Sequence, residues 1–228
     1  MKIVKPSFEI RNKEKINGLD ILKNIESAGR TCYKSEDKIT DESCLQFVKN
    51  VLKRGHESVI EHEFLSVRII CDRGLLAEIS RHRICSLSVE SSRFCNYGNT
   101  KKGLSFIKPY FLPDCPVGEF NENDLCDDET KEKYSDSTYD FIFYLFNCEH
   151  EYNRMLENGY KPEDARNILP NALKTEIVMT CNLREWRHFF KLRTSPAAHP
   201  SMRELTIPML AEFKKLIPIV FDDIEVKE

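Results

Sequence analysis

The sequence has no long hydrophobic run and almost no net charge. None of its apolar stretches approaches the roughly 20 residues that a membrane-spanning helix needs. Its start, MKIVKPSFEIRNKEK, also lacks the apolar segment of a secretory signal. The formal net charge of −3 provides no general attraction to nucleic acid, so any anion site must be built locally from clustered Arg and His. We therefore expect a cytoplasmic protein with no membrane and no nucleic-acid partner.

Metal-ligand spacings are also lacking. The nine cysteines include no C-x-x-C pair, which makes a zinc knuckle unlikely on this spacing alone. His56 and His62 are six residues apart, whereas the histidine pair of zinc proteases is four apart. We therefore expect no metal. An odd number of cysteines without a secretion signal is typical of reduced thiols, most of them buried.

The composition is that of an ordinary folded domain. Of the 228 residues, 41% are hydrophobic and 31% are charged, which excludes a disordered chain. No internal repeat or low-complexity linker divides the sequence, so we predict a single domain over residues 1–228. Residues 109–128 are rich in Pro, Gly, Asn and acids, which indicates a loop excursion.

The spacing of apolar residues predicts both helices and strands. The predicted helices lie at residues 41–54, 75–80, 134–156, from Pro162 to 169, at 183–193 with Asn182 as cap, and at about 200–221 with interruptions at Pro208 and Pro218. The predicted strands lie at residues 64–71 and 173–180. This mixture favours an α+β fold with a central, mostly antiparallel sheet flanked by helices, although α/β stays open.

Residues 81–94 hold three Arg, one His, four Ser and one Glu in fourteen positions. A solvated basic turn would explain the charge alone. The serine hydroxyls favour an anion pocket instead, because Arg supplies forked donors and Ser supplies short donors that suit phosphate oxygens. If Arg81 to Arg83 are extended, the two arginines point to one side and His82 points to the other.

Residues 182–193 form a second cationic cluster. Arg184 and His188 are four residues apart and share one face of the predicted helix. A cation at a helix start opposes the helix dipole, which is the kind of local conflict expected where an anionic ligand is held. A plain surface helix with its aromatic residues in the core stays open as the alternative.

Four separated segments resemble one enzyme family. Arg81-His82-Arg83, followed after seven residues by Ser91, resembles the RHR-x7-S signature of flavin-dependent thymidylate synthases. The sequence is also similar to that family, in the same order, at GHESVIEHE (residues 55–63), at Ala165-Arg166-x-x-Leu169-Pro170, and at Asn182-Leu183-Arg184 followed by His188 and Leu192-Arg193. These segments cover most of the chain from about residue 28 to the end.

The resemblance implies a function. It implies a methyltransferase of dTMP biosynthesis that converts dUMP to dTMP, with 5,10-methylenetetrahydrofolate as carbon donor and NADPH-reduced FAD as hydride source. It further implies a homotetramer with active sites shared between subunits. The flavin contacts would be His56, Ser58, Arg81, His82, Arg83, Asn182, Arg184 and His188. The dUMP contacts would be Glu78, Arg81, Glu90, Ser91, Ser92, Arg93, Arg166 and Arg193.

The resemblance also implies roles within the site. Arg193, at O2 and N3 of the pyrimidine, would be the catalytic residue, because its charge favours an enolate-like ring with more electron density at C5. Ser91 is better interpreted as a positioning donor than as a nucleophile, since no His-acid pair stands beside it to activate it.

The sequence departs from the family at a few positions. Ser88-Val89 stand where the family often has Asn-Glu, and Glu90 follows one place later. Phe94 replaces a common Tyr, and Ala197 replaces a His of some members.

Two other functions stay open. One is an RNA- or nucleotide-binding module whose arginines hold phosphates and whose aromatic residues stack on bases. The other is a related flavoenzyme that acts on a different pyrimidine nucleotide.

Overall fold

A computed structural model describes residues 1–99, 103–121 and 132–227. The helices are α1 (Gly18–Tyr33), α2 (Ser43–Lys53), α3 (Arg73–Ile79), α4 (Asp136–Glu157), α5 (Pro162–Ala165), α6 (Leu183–Arg193) and α7 (Pro200–Leu216). The strands are β1 (Lys2–Val4), β2 (Ser7–Ile10), β3 (Phe64–Asp72), β4 (Ser86–Val89), β5 (Ser105–Ile107), β6 (Gly118–Glu119) and β7 (Lys174–Asn182). Among these described helices, none has the length and apolar character to cross a bilayer.

The α+β fold class predicted from the sequence is confirmed, and most of the predicted helices and strands are found with small shifts at their ends. The helix predicted from Pro162 to 169 is instead the short α5 followed by the 3-10 helix Arg166–Ile168. The C-terminal helix differs from its prediction, because α7 continues through Pro208 and ends at Leu216. An internal proline costs a helix about 3 kcal/mol. Leu205, Met209 and other apolar residues on either side of it are buried, and their packing offsets that cost.

The strands form two sheets in the described part of the chain. One has the order β2-β3-β7-β4. The other has the order β5-β1-β6, in which β1 pairs parallel to β5 and antiparallel to β6. Strand β6 lies inside the predicted 109–128 loop, of which residues 122–128 fall outside the described ranges.

The chain divides into two compact units. The first unit comprises residues 1–7, 69–81 and 88–177, and the second comprises residues 8–68, 82–87 and 178–228. The single domain over residues 1–228 stays a prediction.

Each unit has its own core. In the first unit the buried residues are Met1, Ile3, Leu104, Phe106, Leu112, Cys115, Ile142, Leu145, Tyr152, Ala165 and Leu173. In the second unit Trp186 and Phe190 of α6 pack on Phe213 of α7, with ring centroids 5.0 and 4.9 Å from that of Phe213. The Trp186 indole also donates to the Leu65 carbonyl at 3.1 Å, so α6 is fixed to β3 as well as to α7.

Two helices begin directly at the end of a strand. Asn182 is the last residue of β7, and its side chain accepts from the Glu185 N–H at 2.9 Å to cap α6. Asp72 ends β3 and caps α3 in the same way, accepting from the Leu75 N–H at 2.7 Å. Each cap residue is still extended, so the preceding strand fixes the position and direction of the first helical turn.

The cysteines agree with the expectation of reduced thiols. The eight in the described residues are free, and five of them, including Cys71, Cys115 and Cys181, are buried. Cys126 falls outside the described ranges. Burial raises the pKa of the Cys115 thiol to about 11 and that of Cys71 to about 12. These thiols are therefore protonated and unreactive at neutral pH.

Candidate active site

The Arg81-His82-Arg83 segment is a loop between α3 and β4 rather than a strand. The condition for the predicted alternation is therefore not met, but the side chains still differ in burial: both arginines are exposed, whereas His82 is only 5% exposed. The two arginines are therefore accessible to a ligand in solution, and the histidine belongs to the interior.

A cavity of about 550 Å³ opens beside α6 in the second unit. This volume lies within the range of small-molecule sites. Three of the predicted flavin residues line it, together with one further cation and several acids. The lining residues are Glu57, Glu61, Ile84, Asn182, Arg184, Glu185, His188 and Lys191.

The cations of this cavity are paired with acids. Arg184 forms a short ion pair with Glu61, and both side chains are substantially exposed. Lys191 lies 3.5 Å from Glu57. An anionic ligand that binds Arg184 must therefore compete with the Glu61 carboxylate, which is feasible because exposed ion pairs contribute little free energy.

Behind the cavity wall, His82 lies between two side chains of α6. Its Nδ1 is 3.1 Å from Glu185 Oε1, and its Nε2 accepts from Arg193 Nε, also at 3.1 Å. Possible metal-ligand atoms of His82, Glu185 and His188 lie within 4.8 Å of one another. The permanent charge of Arg193, which contacts His82, opposes the binding of a metal ion there, because two nearby positive charges repel strongly in a buried site.

Arg187 is the buried cation of this region, with a side chain that is 2% exposed. It bonds to Glu57 at 3.1 Å, to Asp223 at 2.6 Å and, by a short contact, to the Val220 carbonyl. Glu57 belongs to the 3-10 helix Glu57–His62, whereas Asp223 and Val220 belong to the C-terminal segment. One side chain thus joins α6 to both of these segments.

The predicted flavin residues do not all meet in one cavity. His56 lines a different cavity of the second unit, about 540 Å³ in volume, together with Arg30, Tyr33 and Arg54. Ser58 is exposed on the 3-10 helix that follows His56, and Arg83 is exposed on the loop before β4.

Four of the predicted dUMP residues meet in the first unit. Arg166 donates to the Ser92 hydroxyl at 3.3 Å, which brings the turn after α5 against the segment after β4. Arg93 donates to Glu163 at 2.6 Å from a largely exposed side chain. The Ser91 hydroxyl accepts from the Arg93 N–H at 3.3 Å. Two guanidinium groups and two serine hydroxyls therefore share one small region.

Glu90 is part of a half-buried charged network. Its carboxylate accepts from Lys174 at 2.7 Å and from the Tyr97 hydroxyl at 2.9 Å. Lys174 also donates to Glu176 at 2.8 Å. Burial alone would lower the pKa of Lys174, but the hydrogen bonds to Glu176 and Glu90 outweigh it and raise the pKa. Burial and the adjacent Glu90 carboxylate also raise the pKa of Tyr97.

The remaining predicted residues are placed separately. Glu78 is half-buried on α3, and its carbonyl accepts from the Arg81 N–H at 3.3 Å. Arg193 is half-buried at the end of α6 in the second unit.

The site residues predicted from the sequence do not include Glu185, Arg187 or Lys174. A signal existed for Lys174, because residues two apart on a strand share a face and Glu176 follows it. Glu185 stands three residues before His188 on the helix, which also marks a shared face. Arg187 offered no comparable sign, since its burial follows from the tertiary packing of α6.

Known proteins resemble this chain over nearly its full length. A sequence profile of the Thy1 family, described as thymidylate synthase complementing protein, matches residues 17–219. The chain belongs to the flavin-dependent thymidylate synthase family. A probable flavin-dependent thymidylate synthase of Mycobacterium phage D29 is 30% identical over 207 residues, which cover 87% of this chain and 81% of that protein. The enzyme of Pyrococcus abyssi is 32% identical over 190 residues, which cover 82% of this chain and 70% of that protein.

Solved structures agree with this family. The flavin-dependent thymidylate synthase ThyX of Helicobacter pylori, crystallised with FAD and dUMP, has a TM-score of 0.68 at 26% identity, covering 96% of this chain and 99% of that one. The UMP/dUMP methylase PolB of Streptomyces cacaoi has a TM-score of 0.72 at 19% identity, covering 97% and 96%. This second likeness shows that the fold is shared.

The Arg187 network predicts a pH-dependent loss of stability in an Asp223→Asn variant. The hydrogen bond from Arg187 holds the pKa of Asp223 below its usual value, so this carboxylate stabilises the fold above the ordinary pKa of Asp, about 3.9. The contribution disappears as the pH falls through the lowered pKa. At pH 7 we expect the free energy of unfolding to drop by about 1 kcal/mol, since Asp223 is half exposed.

Urea denaturation at pH 7 and in strong acid measures the effect. The matched control is Asp222→Asn, which keeps an oxygen for the Ile219 N–H. Within the described part of the chain, Asp222 forms no ion pair with an arginine. Equal curves for wild type and Asp223→Asn at pH 7 would contradict the prediction.

Proposed function

We propose that this chain catalyses the reductive methylation of dUMP to dTMP, with 5,10-methylenetetrahydrofolate as carbon donor and NADPH-reduced FAD as hydride source. Membership of the flavin-dependent thymidylate synthase family is the observation that supports this reaction. The relative from Helicobacter pylori was crystallised with both FAD and dUMP, which supports the same pair of ligands here.

The residues of the α6 cavity fit part of a flavin nucleotide. Arg184 and Lys191 supply positive charge for phosphate or for the anionic edge of a reduced flavin, while Asn182 and His188 supply polar groups for hydrogen bonds. These residues would hold the cofactor, with His56 and Ser58 of the preceding segment as further contacts. When bound, FAD supplies the hydride that no side chain can provide.

The first unit offers an anion site of suitable chemistry for the dUMP phosphate. Arg166 and Ser92 are already in contact, and Arg93 and Ser91 adjoin them. Arg93 is held by Glu163, whose carboxylate also sets its direction. We assign these four residues to the phosphate. Glu78, Glu90 and Arg81 are assigned to the nucleoside, and Arg81 is assigned to the flavin as well.

Arg193 is assigned to the pyrimidine ring. A permanent cation at O2 and N3 stabilises negative charge on the ring as C5 attacks the one-carbon donor. Its effect is larger in the transition state than in the bound substrate, so it increases turnover rather than binding alone.

The proposal includes two further properties. The enzyme is a homotetramer with active sites shared between subunits. We also propose a cytoplasmic location, which the free thiols of the described cysteines support because they suit a reducing compartment.

Tritium release from C5-labelled dUMP tests the reaction. The purified protein should be yellow from bound flavin, and it should release tritium only when reductant and methylenetetrahydrofolate are both present. A colourless protein that binds single-stranded nucleic acid with steep salt dependence would instead indicate the binding module. Release with UMP but none with dUMP would indicate a different pyrimidine nucleotide.

The cavity predicts that Arg184→Ala weakens FAD retention without unfolding the protein. Arg184 is exposed on the cavity wall and contributes charge rather than packing, so its removal should leave the thermal midpoint nearly unchanged. Arg81→Ala should behave likewise. Flavin absorbance after gel filtration measures occupancy, with the exposed Arg11→Ala as control. Full occupancy in both variants would show that the cofactor assignment is wrong.

Two arginines should separate binding from activation. Arg166→Ala should mainly raise the dUMP KM, because a phosphate contact is equally strong in the ground and transition states. Arg193→Lys should instead lower kcat by about 100- to 1000-fold, the loss typical of a removed oxyanion donor. Steady-state dTMP formation at saturating folate and reductant gives both constants. If Arg193→Lys changes only KM, ring activation by Arg193 is excluded.

A further inference from the structure

His82 contacts Arg193 through one ring nitrogen and Glu185 through the other. Arg193 Nε donates to His82 Nε2 at 3.1 Å, and His82 Nδ1 lies 3.1 Å from Glu185 Oε1. The side chains of His82 and Glu185 are 3% and 8% exposed. Water therefore has little access to this chain of two hydrogen bonds.

A single protonation state of His82 satisfies both contacts. Arginine stays charged at any pH at which the protein is folded, so its Nε always presents an N–H. The facing Nε2 must therefore offer its lone pair, which leaves the imidazole proton on Nδ1. That proton is donated to the Glu185 carboxylate, and the carboxylate thereby selects the tautomer.

The surrounding structure fixes the imidazole in place. The Phe189 and His188 rings pack edge-on to it, with centroids 5.0 and 5.6 Å away. The Cys85 thiol donates to the His82 carbonyl at 2.8 Å, and Asn182 holds the Glu185 backbone at the start of α6. Both the acceptor and the group that sets its tautomer are therefore rigid.

We propose that His82 and Glu185 are positioning residues for Arg193, holding its guanidinium in the orientation that activates the pyrimidine. The inference rests on the assignment of Arg193 under the proposed function. The bond at Nε lies at the root of the planar guanidinium, so it restricts rotation of the whole plane. A misplacement of 1 Å at a reacting centre can lower the rate about 100-fold.

Burial is the main reason that His82 favours its neutral form. Burial lowers the pKa of His82 and Arg193 lowers it further, while the hydrogen bond to Glu185 acts in the opposite direction. The titratable and charged groups that face it are Glu185, His188 and Arg193 of α6, with Cys85 on its own loop. Protonation of His82 would place an N–H on Nε2, facing the N–H of Arg193 Nε, and would break this hydrogen bond. We therefore expect kcat to fall as the pH is lowered.

Two substitutions of His82 test the acceptor itself. The amide of Gln reaches the position of the imidazole Nε2, so His82→Gln keeps an acceptor for Arg193. The shorter Asn places its amide near Nδ1, so His82→Asn loses that acceptor. We expect His82→Asn to lower kcat by about 100-fold with little change in the dUMP KM, and His82→Gln to recover at least about tenfold of that loss. Flavin content and flavin reduction by NADPH are measured on each holoenzyme.

A double-mutant cycle with Arg193→Lys decides between positioning and other roles. If His82 acts through Arg193, adding His82→Asn to Arg193→Lys should lower kcat by less than about threefold, because residues that act as a unit are not additive. If the loss of kcat in the double variant equals the product of the losses in the two single variants, the positioning role is wrong. The proposed function would not be affected by that result. Wild-type kcat in Arg193→Lys alone would instead overturn the assignment of Arg193, and this inference with it.

Glu185→Gln provides a milder variant that conserves the shape of the site. Loss of the carboxylate removes the interaction that raises the pKa of His82. In a plot of kcat against pH, the decrease on the acid side (the acid limb) should therefore move to lower pH. The control is Glu204→Gln, an exposed glutamate of α7, which should leave the limb in place. An unmoved limb in Glu185→Gln would contradict the proposal even if His82→Asn failed to fold.

Discussion

The burial of one arginine determines much of the second unit. A guanidinium removed from water is tolerated only when charges and carbonyls satisfy it, and Arg187 obtains them from Glu57, Asp223 and the Val220 carbonyl. The 3-10 helix and the C-terminal segment must therefore both reach α6. His56 directly precedes the 3-10 helix, so distant residues of the C-terminal segment help to determine where His56 lies.

Much of the fold could be predicted because its helices and strands show their burial in apolar spacing. Helix α1 was overlooked, although Ile21, Leu22 and Ile25 mark a buried face. A glycine near each end reduces the helical propensity of that stretch. Gly29 is needed there, because a Cβ would lie 2.5 Å from the Phe47 ring. Local propensity and tertiary packing conflict at this position, and packing prevails.

The residue types of the candidate site could be predicted from the sequence, but the hydrogen bonds and ion pairs between its side chains could not. Clustered Arg, His and Ser indicated anion binding, and the family resemblance assigned the ligands. The partners of His82 lie 103 and 111 residues away along the chain, so no local pattern links it to Glu185 or Arg193. The acids Glu61 and Glu163, which form ion pairs with Arg184 and Arg93, likewise approach them only through the fold.

The junctions at Asp72 and Asn182 restrict how this chain can change in length. Each residue ends a strand and caps a helix, so no spacer exists to absorb an insertion. One added residue would rotate the following helix by about 100° and turn Arg184 away from its cavity. Insertions and deletions during divergence should therefore avoid both positions and accumulate in exposed connections such as residues 34–42. The start of each of these two helices is thereby fixed to the strand before it.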